Sequence, residues 1–285
     1  MSAPAATFHR RRTSIGEIVT PIWIVLVAVI VIAALVSDRF LSPYNIVTVL
    51  QQGVITGIVA LGMTIVLIGG QFDLSTGAIV MMAAVMALLI GPSHPAAIAL
   101  AFTLPIVAGA VVGTVNGLAV YAAGANSIVA TIGMQFLVIG GVLALVSGQH
   151  VRADDIGAVF SGLAQARPLG IPVPVFLFVA LVAGLAVLMS NTVFGRHVYA
   201  IGGDIEAARR AGVRVVRTGV ATYALSGALA ALSGVIIASL VGHVDPTAIG
   251  SYEFPALTAA VLGGASLSGG VGRPAASIDH WKEGG

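Results

Sequence analysis

In the stretch "IGGQFDLSTGAIVMM", one carboxylate, Asp73, lies in an otherwise apolar run, with Gly69 and Gly70 before it and Ser75 and Thr76 after it. An acid in such a place can contact a solute or a proton, or it can accept hydrogen bonds from the free N–H groups that open a helix. The short apolar run that follows, Thr76–Ile90, favours the second use. Asp73 would then cap Ser75 or Thr76, the positive end of the helix would favour the ionised acid, and the two glycines would let the chain turn. On this reading Gly69, Gly70, Asp73 and Ser75 form a helix break, and with Asn116 they are the candidate lining of a translocation path.

Other chemistries are excluded by what the chain lacks. A phosphate-binding loop needs G-x-x-x-x-G-K-[ST], but the one lysine, Lys282, is followed by Glu283. The chain therefore cannot hold ATP in that way, and any ATP-driven role needs a separate ATPase. There is no cysteine, no H-E-x-x-H and no G-x-S-x-G, and the six histidines are scattered near segment ends. We expect no enzymatic activity, no metal and no cofactor. Within the apolar segments Asp73 is the one candidate acid and no basic residue occurs, which argues against an ion-coupled carrier. The neutral polar residues Gln51, Gln52, Thr64, Thr131, Gln135, Tyr223, Ser226 and Ser233 could bind a sugar, but interhelical hydrogen bonds would use the same groups.

Two further patterns stand out. Gly109, Gly113 and Gly117 are spaced four apart on one helix face and should let another helix pack closely, with Asn116 beside them. The segment Asn191–Arg217 holds five arginines against Asp204 and Glu206. Within it Glu206, Ala207 and Ala208 can form a short helix ended by Gly212, with Arg209 and Arg210 near its C-terminus, at the negative end of the dipole. Such a helix could dock a soluble partner or simply be a solvated basic loop.

The elements that must position these residues follow from composition. Of 285 residues, 58% are hydrophobic and only 8% charged, against about 25% charged in soluble domains. Mean hydropathy is +1.06. The net charge of +2 is clustered, which suits membrane orientation and not nucleic-acid binding. Spans are expected at Val19–Val36, Ile46–Ile68, Thr76–Ile90, Ala96–Ala122, Ile128–Ser147, Pro172–Ser190, Thr218–Val241 and Phe254–Gly264. This is an all-α, polytopic transmembrane helix bundle of about eight spans. The third and eighth are short, as half-helices are. The run after Arg10–Arg12 is too long for a signal peptide and is read as the first span. The positive-inside rule then puts residues 1–18 and the loop 191–217 in the cytoplasm, and Gln149–Ile171 and Gly242–Glu253 outside. A weak internal repeat relates "GGQFDLSTG" (Gly69–Gly77) to "GGASLSGG" (Gly263–Gly270).

Taken together, "GGQFDLSTGAIV", "VNGLAVYAAGANSIVATIGMQFLVIG", "FGRHVYAIGGDIEAARRAGV" and "LSGALAALSGVIIAS" through "AAVLGGASLSGGVG" resemble the permease subunit of ribose-type (monosaccharide) ABC importers. That family lies within the branched-chain amino acid/ribose permease superfamily. The resemblance spans roughly Ile46–Gly272 in order and spacing. It implies a bacterial inner-membrane permease domain over residues 19–272, carrying a monosaccharide such as ribose, with two permease chains (a homodimer), membrane lipid around them, a cytoplasmic ATP-binding subunit and a periplasmic sugar-binding protein. It also implies that Glu206, Ala207, Ala208 and Gly212 match the EAA-x3-G pattern of a coupling loop that rests on the ATPase. Residues 273–285, "RPAASIDHWKEGG", depart from the family, whose members continue with further spans, so a truncated chain is expected. Rival readings are an ion-coupled secondary transporter and an inactive remnant.

Overall fold

The computed structural model describes residues 15–153, 157–246 and 252–272. The expected cytoplasmic arginines Arg10–Arg12, the loop acids Asp154 and Asp155, and the divergent tail from Arg273 lie outside the described residues. The helices are α1 (Ile15–Val36), α2 (Pro43–Ile68), α3 (Thr76–Leu89), α4 (Pro95–Tyr121), α5 (Ser127–Leu145), α6 (Ala158–Gln165), α7 (Val173–Asn191), α8 (Val193–Gly203), α9 (Ile205–Arg210), α10 (Val215–Val241) and α11 (Glu253–Leu262). Two short strands, β1 (Val151–Arg152) and β2 (His243–Val244), pair antiparallel with Val151 opposite Val244. The protein is all-α but for this one pair among the described residues.

The chain divides into two compact units, residues 1–49 and 50–285. In the first, Ser42 Oγ accepts the N–H of Asn45 at 3.3 Å and the Asn45 amide donates to Phe40 O at 2.8 Å, which fixes the turn that opens α2. In the second, α10 packs chiefly against α4 and α3, and Ile58, Val59, Met63 and Ile65 from the buried part of α2 complete the core. The outer faces of α4, α5 and α7 are apolar and open: Val107, Val111, Phe136, Leu137 and Val179 are each more than half exposed. Water does not tolerate so much contiguous apolar surface, so this is a multi-pass membrane protein.

A helix stands at each of the eight expected spans, and these helices differ in length. Among the described residues five helices (α2, α4, α5, α7 and α10) are long and apolar enough to cross a membrane. Helices α3 and α11, with 14 and 10 residues, are too short, because a span takes about 20. The two loops expected on one face, Gln149–Ile171 and Gly242–Glu253, are joined by the β1–β2 pair and by His150 Nδ1 lying 3.5 Å from Asp245 Oδ2.

The packing of α10 on α4 explains the glycine spacing. A Cβ on Gly109 would overlap Gly227 O, one on Gly113 would overlap Tyr223 O, and one on Gly117 would lie 2.7 Å from Val220 Cα. Gly227 faces back, where a Cβ would overlap Gly109 O. Two backbones therefore touch along three turns, which only glycine permits.

Candidate functional site

The break after α2 is built by its own sequence. Gly70, at φ 77°, ends the helix: its N–H reaches Leu67 O at 2.8 Å and the Gln71 N–H reaches Val66 O at 3.1 Å, the paired bonds of a glycine C-terminus. Gln71–Leu74 are then non-helical until α3 begins at Thr76. Non-helical backbone inside a membrane protein needs partners from neighbouring helices, and three supply them. From α4, Tyr121 OH donates to Gly69 O at 3.1 Å. From α5, Ser127 Oγ accepts Phe72 N–H at 3.3 Å and Thr131 Oγ1 accepts Leu74 N–H at 3.1 Å. From α10, Tyr223 OH donates to Phe72 O at 2.8 Å. Tyr121 and Tyr223 pack edge to face with centroids 6.2 Å apart.

Asp73 is fully buried at the centre of this network. Its Oδ1 accepts the Ser75 N–H at 3.2 Å and the Ser75 hydroxyl at 2.6 Å, and its Oδ2 accepts the Ser226 hydroxyl at 3.1 Å. Asn116 Nδ2 donates to Ser75 Oγ at 2.8 Å. Of the two caps expected for Asp73, that on Ser75 N–H is made; α3 itself has Ser75 at its cap position and no side-chain cap there. Asp73, Ser75 and Asn116 are thus joined by hydrogen bonds, and Gly69 and Gly70 end the helix just before them. Asp73→Asn should fold and transport near normally, because an amide oxygen can serve Ser75 while its NH2 donates to Ser226 Oγ. Asp73→Ala strands two buried hydroxyls and should cost about 2–3 kcal/mol, read as thermal unfolding of the purified protein. Complete loss of uptake by a well-folded Asp73→Asn would instead assign the charge itself to transport.

The second glycine motif adjoins the first. After α11, Gly264 at φ 94° makes the same helix end, with Gly264 N–H to Val261 O at 3.0 Å and Ala265 N–H to Ala260 O at 3.0 Å. The repeat is therefore one of helix termini. Gly270 N–H donates to Ile68 O at 2.9 Å, and a Cβ on Gly269 would come within 2.7 Å of Gly70 Cα. Gly202, at the end of α8, completes this junction: a Cβ there would overlap Ile68 O and lie 2.6 Å from Gly270 N. Tyr199 OH, one turn earlier, donates to Gly272 O.

Helix α9 follows directly. Asp204 Oδ1 accepts the N–H groups of Glu206 and Ala207, both at 2.9 Å. Gly212, at φ 82°, closes the helix with Gly212 N–H to Arg209 O and Val213 N–H to Ala208 O, each 3.0 Å. Ala208 is buried, while Glu206 and Arg209 are exposed and paired at 3.2 Å. Ala207 is exposed as well.

One expectation is overturned. Glu253, read as a residue of an outer loop, opens α11 and is 3% exposed. Its Oε1 accepts from Gln135 Nε2 of α5 at 2.9 Å. Asp73 is therefore not the one acid inside the bundle. The hydropathy pattern places Glu253 at a segment edge and carries no sign that this edge is buried. Tyr121, Gly202 and Asp204 were also passed over; Asp204 had a readable signal, a cap-type residue directly before a helix. The polar residues within the spans serve largely as contacts between elements: Gln51 to Ala164 O at 3.3 Å and Ser233 to Ile55 O at 3.2 Å, besides those above. Among the described residues no three acidic or histidine side chains gather as metal ligands do.

The family profile described as "Branched-chain amino acid transport system / permease component" matches residues 45–278. The chain is 34% identical over 253 residues to the ribose import permease protein RbsC of Escherichia coli (strain K12), covering 88% of this chain and 78% of that protein. It is 38% identical over 250 residues to the ribose import permease protein RbsC of Bacillus subtilis (strain 168), covering 87% and 77%. It is 32% identical over 258 residues to the fructose import permease protein FrcC of Rhizobium meliloti, covering 88% and 72%. No solved structure matches the chain.

Proposed function

Since this chain belongs to the branched-chain amino acid transport system / permease component family, we propose that it is the membrane subunit of an ATP-binding-cassette importer for a monosaccharide. Its relatives bear the names of ribose, fructose and arabinose permeases. The chain itself is not an enzyme. Energy comes from an ATP-binding subunit, and the sugar is delivered by a substrate-binding protein. The finer assignments are that two copies of the chain flank the path, that lipid surrounds them, and that the N-terminus and α9 are cytoplasmic.

The observation that carries the reading is the junction at Gly202. An exposed, charged helix, α9, begins three residues after a backbone contact on the helix break beside Asp73. A partner that moves α9 thereby moves the break. In this role Glu206, Ala207, Ala208, Arg209 and Gly212 form the docking segment, Gly69, Gly70, Asp73, Ser75 and Asn116 the responding hinge, and Gly109, Gly113 and Gly117 its fixed backing.

Labelled ribose, fructose and L-arabinose, offered to the chain reconstituted with its ATPase and binding protein, test this. Uptake that requires ATP hydrolysis supports the importer. Uptake without any ATPase that collapses with the proton gradient would establish the rival ion-coupled carrier, for which the buried acids Asp73 and Glu253 are the specific observation. For docking, Gly212→Pro cannot adopt the positive φ that closes α9, and Glu206→Ala removes the pair with Arg209. Both should lower co-purification of the ATPase, and undiminished retention in both would overturn the docking role. Asp204→Ala removes two cap bonds, should cost α9 about 1 kcal/mol, and should weaken ATPase retention less than Gly212→Pro does.

A further inference from the structure

Glu253 carries a feature that the helix break does not explain. Its Oε1 is held by Gln135, but Oε2 is a buried oxygen with no hydrogen-bond partner. A carboxylate left half-bonded in a nearly dry site is costly, and every oxygen of Asp73, by contrast, is satisfied. No Lys or Arg pairs with Glu253 among the described residues. Structural economy would place an apolar residue or a glutamine here.

The surroundings keep room for Oε2. A Cβ on Gly77 would overlap Oε2 and lie 3.1 Å from Glu253 Cδ. Gly77 belongs to the first turn of α3, whose N–H groups have no acceptor within their own helix. An unpartnered acceptor oxygen thus lies against the first turn of α3, beside the Gln135 carboxamide. A hydroxyl group matches that combination, because it donates one hydrogen bond and accepts others. Phe136 on α5 and Phe254 on α11, next in sequence to the pair, are 69% and 59% exposed.

We propose that Glu253 and Gln135, beside Gly77, form a contact site for a hydroxyl of the transported monosaccharide. The proposal rests on the importer reading. Glu253 Oε2 accepts the sugar O–H, Gln135 holds the carboxylate by its other oxygen, and Gly77 lets Oε2 sit against α3. Glu253 is buried in this structure, so a sugar reaches it only when the short helix α11 moves. This places a selective step in the permease in addition to selection by the binding protein.

The test uses the complete complex with labelled ribose, fructose and L-arabinose and their deoxy analogues, in wild type, Glu253→Gln, Glu253→Ala and Gln135→Ala. If the wild type moves none of the sugars, the importer reading itself fails. If it does, Glu253→Gln, which keeps size and the link to α5, is expected to assemble normally yet to take up sugar at least about tenfold more slowly. The preference for the sugar over at least one deoxy analogue should also shrink in that variant. Gln135→Ala, which leaves Glu253 free to turn, should raise the KM for uptake. A role confined to packing predicts otherwise: Glu253→Ala would assemble poorly while Glu253→Gln restored full uptake and unchanged deoxy discrimination. That result overturns the proposal, and where Glu253→Ala does not fold, the glutamine variant decides alone.

Discussion

Gly202→Ala should abolish sugar uptake while leaving the ATPase bound. The added methyl would overlap the Ile68 carbonyl oxygen and press on Gly270 N at 2.6 Å, so it must break the bond by which Gly270 N–H holds the end of α2. The obstacle is backbone on both sides and no rotamer change relieves it. Overpacking of this kind costs about 1–3 kcal/mol and occasionally more. Here the cost falls on the junction between α8, the glycine-rich turn and the helix break. Helix α9, with its cap at Asp204 and its glycine end at Gly212, is untouched. The neighbouring Gly203→Ala supplies the control, since a Cβ there meets nothing within 4 Å. Uptake and ATPase co-purification measured in both variants decide the matter. Equal uptake in Gly202→Ala and wild type would show that this contact transmits nothing.

Gly113→Leu should prevent the protein from accumulating at all. A Cβ at this position would overlap Tyr223 O and lie 2.7 Å from Tyr223 C, again backbone, so α4 and α10 would have to separate. Separation spreads beyond the contact itself. Tyr223 and Ser226 sit on the same stretch of α10 and hold Phe72 O and Asp73. The loss should reach about 3 kcal/mol or more, a large share of the 5–15 kcal/mol by which proteins are commonly stable. Membrane abundance and the thermal midpoint in detergent report it. Gly140→Leu on α5, where a Cβ meets nothing within 4 Å, should change neither by much. A normal midpoint for Gly113→Leu would mean that the two helices are not held at backbone contact.

How far the sequence reached differs from one residue to the next. Gly109, Gly113 and Gly117 were readable because a four-residue spacing puts them on one face whatever that face meets; which helix they meet was not. Asp73 could be read as a cap because its cue, an acid just before a short apolar run, is local. Its third bond, from Ser226, joins residues 153 positions apart and leaves no local trace. The two glycine pairs were visible as a faint repeat. That each ends a helix through a left-handed glycine, and that Gly269 then packs on Gly70, required coordinates.

The sequence by itself determined the class of the molecule. An 8% charged chain with apolar runs at spanning length has no soluble solution, and the order of its motifs carries the family. It also determined the Asp73 cap on Ser75 N–H and the glycine stop at Gly212, each of which depends on one residue and its neighbours within a turn. Tertiary structure alone decided where the short helices begin and end. The reason is that a 10-residue helix such as α11 and the edge of a longer one look alike in hydropathy. It alone decided that Glu253 turns inward and that Gly202 touches the break, because burial and backbone contact are set by which distant segments arrive at the same place.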